Sequence, residues 1–455
     1  MNHSEIIFDK TIGLRGSDKM KQKLLEKIKN KTLTMGVVGL GYVGLPLAVE
    51  KAKAGFHTIG FDVQKHKVDM VNEGENYIGD VVNEDLAEIV NSGMLRATSD
   101  FSFVKDVDFI AICVPTPLDA YQQPDVSYLK ASTESISKYL KQGSIVVLES
   151  TTYPGTTEEL IKPILEKGSG LKCGKDFYLG FSPERVDPGN KQYKTKNTPK
   201  VVGAIGDDAK EVIAAVYSAV LASEVYTVSS PAVAEMEKIL ENTYRNINRA
   251  LVNELSVLCN RMNINIWEVI DAAKTKPYGF QAFYPGPGLG GHCIPLDPYY
   301  LTWKAREYDF HTSMIETSMI INDRMPEYTV DRAGEILNEF EKSLKGSKIL
   351  VLGVSYKSDI DDYRESPALE VIEILKKKEA DVIFFDPLIP EYKHKNQIYQ
   401  GLTEMPKDLG QYDLILLLSA NSQFDYQDIT DHAQVVFDTR NAFANIENRE
   451  NIHLL

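Results

Sequence analysis

Up to about residue 32 the chain shows no sustained apolar period; residues 21–31 are basic with a few leucines, and predict a helix or an arm lying on the body. From Thr34 the pattern changes. Residues 35–38 are a short apolar run, Gly39-Leu40-Gly41-Tyr42-Val43-Gly44 follows, 45–54 carries helical spacing, and 57–61 is a second apolar run ending in Asp62. Strand, tight turn, helix, strand is the expected order. Apolar runs at 108–114, 144–149 and 177–181 predict buried parallel strands. Each opens into a loop: Pro115-Thr116-Pro117, Ser150-Thr151-Thr152-Tyr153-Pro154-Gly155, and Ser182-Pro183-Glu184-Arg185. A long helix is predicted over 231–262, with Pro231 in its first turn and Ser230 as its cap. At 100° per residue, Met236, Leu240, Ile247, Leu251 and Leu258 share one face, while Lys238, Asn242, Arg245 and Arg249 cluster on the other. Such a polar stripe either faces water or lines a cleft. Residues 303–340 read as helical. Strands at 348–352, 381–385, 412–418 and 434–437, with a helix at 367–378, then make a second α/β unit.

The expected class is therefore α/β: two Rossmann-like doubly wound domains joined by a long central helix in a helical middle domain. Boundaries are placed at 1–32 for an N-terminal extension, 33–225 and 341–455 for the two nucleotide folds, and 226–340 for the middle. At 455 residues the chain has length for two or three cores. Its composition, 43% hydrophobic and 25% charged, is that of a globular protein.

Charge narrows the choice of partner. A net −15 leaves no basic surplus for nucleic acid, though local lysines and arginines still allow an anionic substrate. The cysteines Cys113, Cys173, Cys259 and Cys293 lack metal-type spacing and are too few for a disulfide framework, so no metal is expected and a reducing cytoplasm fits. No apolar run approaches the ~20 residues of a membrane span, so membrane insertion is not expected.

Three glycines between a strand and a helix do different work: one turns tightly, one lets backbone approach a pyrophosphate, one packs helix on strand. Gly39, Gly41 and Gly44, with Tyr42 and Val43 between them, are in that pattern, and a helix N-terminus follows to receive the phosphates. Asp62 stands where a carboxylate bonds ribose hydroxyls and repels a 2′-phosphate, which points to NAD rather than NADP. Thr116, Thr152 and Glu184, at strand ends, are candidates to line the same crevice. In the second unit the turn has decayed to Gly353-Val354-Ser355-Tyr356-Lys357, which should not hold a dinucleotide; Lys357 and Arg364 sit where phosphates of another nucleotide would lie.

The remaining chemistry is in FYPGPGLGGHCIPLDPYYL, residues 283–301. Its glycines and prolines exclude a regular element, and its apolar flanks exclude a loose linker. Cys293 lies in a tight turn with Asp297 four residues on: either a thiolate nucleophile or a buried structural cysteine.

These motifs together resemble the NAD-dependent nucleotide-sugar 6-dehydrogenases, the UDP-glucose/GDP-mannose dehydrogenase family. The resemblance covers nearly everything after residue 33 and rests on GLGYVGLP, VPTP, SPER, KILENTYR, GGHCIPLDP and YKSDIDDYRES, in family order. The wider cysteine stretch is similar to the branch acting on UDP-N-acetylhexosamines, UDP-N-acetylglucosamine first among them. The UDP-glucose branch has other residues at His292 and Leu296. The resemblance implies NAD as cofactor, a UDP-sugar substrate and a homodimer built on the central helix. It also implies a four-electron oxidation of C6 through a thiohemiacetal and thioester on Cys293. By the same resemblance Lys238 and Asn242 stabilise an oxyanion, Asp297 orients water, and Thr152 and Glu184 hold water and act as acid and base. Arg364 matches a position near the cofactor. Substrate contacts are implied for Glu184, Arg185, Lys238, Asn242, Arg245, Arg249, Phe283, Tyr284, Gly290, His292 and Lys357. Pro188 replaces a glutamate of the UDP-glucose enzymes, which unsettles any direct transfer of their proton relay. Two other readings use the same scaffold: a two-electron β-hydroxyacid dehydrogenase with Cys293 structural, and a non-enzymatic nucleotide sensor.

Overall fold

The structure, a computed structural model, describes residues 16–79, 81–187, 190, 192–291, 293–395 and 397–455. Residues 1–15 of the N-terminal extension, Pro188 and His292 fall outside them. The chain divides into two compact units, 1–239 and 240–455.

The first unit is built on β1 (Met35–Val38), β2 (Thr58–Phe61), β3 (Leu95–Thr98), β4 (Phe109–Ile112), β5 (Ile145–Leu148), β6 (Tyr178–Phe181), β7 (Lys200–Ala204) and β8 (Val225–Thr227), in the order β3-β2-β1-β4-β5-β6-β7-β8. Neighbours are parallel except β6 with β7. Strands β1, β2 and β4 to β7 are buried along their whole length. Covered on both faces, they have no reason to alternate, which is why the sequence shows β1, β2 and β4 to β6 as apolar runs; β7, which opens on Lys200, gave no such run. Edge strand β3 alternates buried with accessible positions, and β8 is accessible throughout. Neither is legible as an apolar run. Helices α1 (Gly16–Lys29), α2 (Gly44–Lys53), α3 (Lys65–Glu73), α4 (Asn83–Asn91), α5 (Ser127–Ser137), α6 (Lys162–Ser169) and α7 (Asp207–Val220) accompany the sheet. The basic N-terminal segment is an arm on the body: Leu24 and Ile28 join the core, and Lys27 pairs with Asp108 at 2.9 Å.

Helix α8 (Pro231–Arg261) carries the chain from the first unit into the second. The second unit continues with α9 (Ile266–Ala273), α10 (Asp297–Ala305), α11 (Ser313–Asp323) and α12 (Met325–Glu339). The single helical stretch expected over 303–340 is thus interrupted. Asp309 takes a left-handed φ of 52°, and Pro326 starts α12 afresh.

Its sheet runs β10-β9-β13-β14-β15, from β9 (Lys348–Leu352), β10 (Asp381–Phe385), β13 (Leu414–Leu417), β14 (Val436–Asp438) and β15 (Ile452–Leu454), all parallel. A separate hairpin joins β11 (Glu391–His394) to β12 (Gln397–Gln400). Helices α13 (Pro367–Lys377) and α14 (Tyr426–His432) complete the unit. In both sheets the first strand has the second on one side and a later strand on the other. That reversal of order is the switch point where α/β folds bind ligands.

Candidate active site

In the first unit the glycine turn leaves β1 at its switch-point end. Gly39 has φ 91°, and a Cβ there would lie 2.6 Å from the Cys113 carbonyl oxygen. A Cβ on Gly44 would lie 1.8 Å from the Gly39 carbonyl oxygen, so the first turn of α2 can close on the strand only with glycine. Gly41 differs: a Cβ there meets nothing within 4 Å. The protein does not require this glycine sterically. The demand comes from the open side, where a pyrophosphate can approach the backbone and the α2 N-terminus. Asp62 accepts N–H bonds from Leu40 and Gln64, both at 2.9 Å, and Tyr77 donates its hydroxyl to the Leu40 carbonyl at 2.7 Å. Tyr42 stands half exposed in the turn, and Val43 packs on the core. This cradle fits the diphosphate and adenosine ribose of NAD.

The strand-end loops lie alongside. Thr116 Oγ1 donates to the Thr151 carbonyl at 2.7 Å, tying the β4 loop to the β5 loop. Thr152 is buried, its hydroxyl 2.8 Å from that of Thr156. Buried Glu235, on α8, accepts the Gly155 N–H at 2.5 Å, the Thr157 N–H at 2.9 Å and the Thr157 hydroxyl at 2.6 Å. The helix that carries Lys238 thereby holds the loop that carries Thr152. Lys238 is itself buried, and among the described residues its ammonium has no hydrogen-bond partner. Glu184, beyond β6, accepts the Arg185 and Val186 amides on one oxygen at 2.8 and 2.9 Å. Arg185 reaches the Pro199 carbonyl at 3.0 Å and Glu237 at 3.5 Å.

In the second unit, the polar face of α8 grips the cysteine loop at four points. Arg249 donates to the Tyr284 carbonyl at 2.7 Å; Asn253 accepts the Gly286 N–H at 3.1 Å; Asn246 donates to the Ile294 carbonyl at 3.1 Å; Asn242 donates to the Asp297 carboxylate. Arg245 in turn donates to Asn242. Asn242, Asn246, Asn253 and Asp297 are all buried. A glycine- and proline-rich loop cannot satisfy its backbone by forming a ladder, so this helix face supplies the partners. The Cys293 carbonyl accepts the Asp297 N–H at 2.9 Å, which seats the cysteine just ahead of the α10 N-terminus. Phe283 packs edge-on against Tyr244, and Tyr284 stacks on Trp267.

The glycines of the loop have specific neighbours. A Cβ on Gly290 would lie 2.4 Å from Tyr356 Cβ, and one on Gly291 (φ 84°) 2.9 Å from the Tyr356 ring. The cysteine loop therefore packs directly on the loop of the second nucleotide fold, next to Lys357. The Arg364 carbonyl accepts the Gly291 N–H at 3.3 Å, and its guanidinium forks onto Asp362 at 2.9 and 2.7 Å.

Several residues of this arrangement escaped the sequence reading. Asn246 and Asn253 extend the stripe of Asn242 and Arg249 at helical spacing, so a longer window would have found them. Arg440 gave no local signal. It lies beside Gly286, whose added Cβ would be 2.6 Å from its Nη1, and it donates to the Leu418 carbonyl at 2.8 Å. Burial, then the neighbouring Arg249, push its pKa down to about 10. A guanidinium held in this way is poised for an anion.

Comparison with known proteins agrees with these features. The chain matches the models of the UDP-glucose/GDP-mannose dehydrogenase family for the NAD binding domain at 33–221, the central domain at 232–324 and the UDP binding domain at 350–445. It is 37% identical to a UDP-N-acetyl-D-glucosamine 6-dehydrogenase of Pseudomonas aeruginosa, over 87% of this chain and 92% of that one. It is 35% identical to a UDP-N-acetyl-D-mannosamine dehydrogenase of Pyrococcus horikoshii, over 78% and 84%. A solved UDP-D-ManNAc dehydrogenase structure from Pyrococcus horikoshii superimposes with a TM-score of 0.83 at 29% identity, covering 93% of this chain and 98% of that one.

Proposed function

The chain belongs to the UDP-glucose/GDP-mannose dehydrogenase family and is an NAD-dependent nucleotide-sugar dehydrogenase, and from that premise we propose that it oxidises C6 of a UDP-N-acetylhexosamine, UDP-N-acetylglucosamine first, to the uronic acid for surface polysaccharide. The observation that carries the chemistry is the four-point grip of α8 on the cysteine loop, which ends in the Asn242–Asp297 bond. A merely structural cysteine does not require its loop to be fixed by a buried polar helix face. The glucosamine assignment leans on the Pseudomonas aeruginosa relative.

NAD, held at the glycine turn, supplies the hydride acceptor for each of two oxidations. The first takes a hydride from C6 while the hydroxyl proton passes to a base, giving the aldehyde. The Cys293 sulfur adds to that carbon and its thiol proton goes to the carbonyl oxygen, forming a thiohemiacetal. Loss of a second hydride from the same carbon, and of the hydroxyl proton, leaves a thioester. Water adds, the sulfur departs as thiol, and the acid is released. In this scheme Lys238 and Asn242 stabilise the oxyanion, and Asp297 orients the water. Thr152 and Glu184 hold water and move protons. The UDP diphosphate falls to Lys357, Arg249 and Arg440, with Arg245, Phe283, Tyr284 and Gly290 as further substrate contacts; by the family resemblance Arg185 is also a substrate contact and Arg364 a cofactor contact.

We assign the dimer to α8. Its polar face is turned inward, and Val233, Met236, Leu240, Tyr244, Leu251, Leu255, Leu258 and Met262 form an exposed apolar stripe on the other face, with Leu240 62% and Leu251 53% accessible. A stripe of this length on one helix fits a second copy of the same helix. Light scattering should give twice the chain mass, and Leu251→Glu should give the monomer; a monomeric wild type excludes the dimer.

The function is tested by NADH release from a panel of UDP-sugars. Two NADH per UDP-N-acetylglucosamine are expected, and Cys293→Ala should slow acid formation at least about 10³-fold. One NADH per sugar with free aldehyde rejects the covalent route. Turnover of UDP-glucose alone rejects the hexosamine assignment, and preference for the mannosamine epimer replaces glucosamine.

A further inference from the structure

Beneath the strand ends of the first sheet lies a buried ionic cluster that the reaction scheme leaves unused. Lys200 opens β7 with 4% of its surface accessible. Its ammonium is 2.8 Å from Glu149 Oε2 and 3.3 Å from Glu184 Oε2. Glu149, at the end of β5, is buried, and its other oxygen accepts the Tyr217 hydroxyl of α7 at 2.6 Å. Lys51 of α2 lies over the Phe109 and Tyr217 rings, 4.6 and 5.0 Å from their centroids. Glu184 alone among these groups belongs to the candidate site.

We propose that Lys200 is the positioning residue for Glu184, its ammonium anchored on Glu149 so that it aims the Glu184 carboxylate and keeps it ionised. Glu184 has no other cation within hydrogen-bond reach among the described residues: its second oxygen is taken by the Arg185 and Val186 amides. Amides fix the orientation of a carboxylate but cannot neutralise it, and a second carboxylate nearby works against ionisation. Lys200 meets both needs. Burial opposes its charge, but Glu149 and then Glu184 outweigh that and hold its pKa well above the ordinary lysine value. Burial likewise favours a neutral Glu184, yet Lys200 and then the Val186 and Arg185 amides bring its pKa below the usual glutamate value. Glu184 is therefore a proton acceptor at rest. A variant lacking the Lys200 charge leaves the buried Glu149 and partly buried Glu184 carboxylates together, and the Glu184 pKa climbs into the working range. The other titratable groups around the cluster are Lys51, Cys113, Tyr217 and Arg185, the last paired with Glu237. They stay in place in that variant.

The inference rests on the reading of Glu184 as a proton-handling group, so four variants are compared across about pH 5 to 9. Lys200→Met should lower kcat at neutral pH by at least about tenfold, with KM for NAD and UDP-sugar within about threefold, and should raise the low-pH limb by about one unit or more. Lys200→Arg should restore the limb. Glu149→Gln leaves Lys200 to Glu184 alone, so it should destabilise the fold without raising the limb. A purely structural cluster predicts the opposite: Lys200→Met and Glu149→Gln lose stability alike and neither moves the limb. Glu184→Gln separates the two claims. If it is slow while folded Lys200→Met keeps the wild-type limb, the positioning role alone is overturned. If it turns over like wild type, the reading of Glu184 falls and takes the positioning role with it. Should Lys200→Met not fold, Lys200→Gln carries the same expectations.

Discussion

After β1 the chain reaches its next helix through residues 39–43, and after β9 through the much longer 353–366. Both turns begin on a left-handed glycine, Gly39 at φ 91° and Gly353 at φ 78°. Both are braced by an aspartate at the end of the neighbouring strand. Asp62 accepts the Leu40 and Gln64 amides; Asp386 accepts the Val354 amide at 2.8 Å and the Leu388 amide at 2.9 Å. The two part company at the helix. α2 starts on Gly44 and presses against the turn; α13 starts on Ser366 and Pro367, with the Ser366 hydroxyl accepting the Ala368 N–H at 3.3 Å. The longer loop is free to carry Lys357 and Arg364 and to pack on the glycines beside Cys293. An aspartate after the second strand, taken alone, thus reports a braced turn. A glycine at the helix start is what makes the turn a dinucleotide site.

The helices behind the turns differ as well. The buried face of α13 is apolar throughout, Pro367, Ala368, Leu369, Val371, Ile372 and Leu375, whereas α2 buries Lys51 among its apolar residues. Burial pushes the Lys51 pKa down to about 8, with Glu149 pulling the other way. Among the described residues the Lys51 ammonium has no hydrogen-bond partner, and the aromatic faces of Phe109 and Tyr217 lie over it.

The largest expected effect comes from exchanging the two kinds of turn. Gly44→Ala puts a methyl against the Gly39 carbonyl oxygen and should cost about 3 kcal/mol or more, abolishing NAD binding. Gly353→Ala meets the Ser419 carbonyl oxygen at 2.3 Å in a left-handed conformation and should cost about 2–3 kcal/mol, weakening UDP instead. Calorimetric titration of each variant with NAD and with UDP separates the two folds; equal loss of both ligands in both variants would deny that the turns act independently. A smaller effect follows from making α2 resemble α13. Lys51→Met should stabilise the protein by about 2–3 kcal/mol at neutral pH. The folded pKa is below the unfolded one, so the burial penalty is full below about pH 8 and fades as pH rises toward about 10.5. Melting temperatures against pH should show that gain shrinking over the same window. A gain independent of pH would mean that Lys51 is not the source.

Much of the site was legible because its signals are local. The turn at 39–44, the acid at the end of the next strand and the glycine-rich frame of Cys293 are set by neighbouring residues and by what backbone each can adopt. For the same reason, buried β1, β2, β4, β5 and β6 declared themselves as apolar runs while the accessible edge strands β3 and β8 did not; β7, also buried, opens on Lys200 and was not read.

Amphipathic spacing on α8 showed two faces but not which one looks inward. Only the packed structure turned the polar face to the interior, where Asn242, Asn246, Arg249 and Asn253 meet a loop that cannot bond itself. Lys200 with Glu184, and Arg440 with Gly286, are pairs of the same kind. Hydrogen bonds and burial between residues distant in sequence depend on how the elements pack, and no local pattern records that.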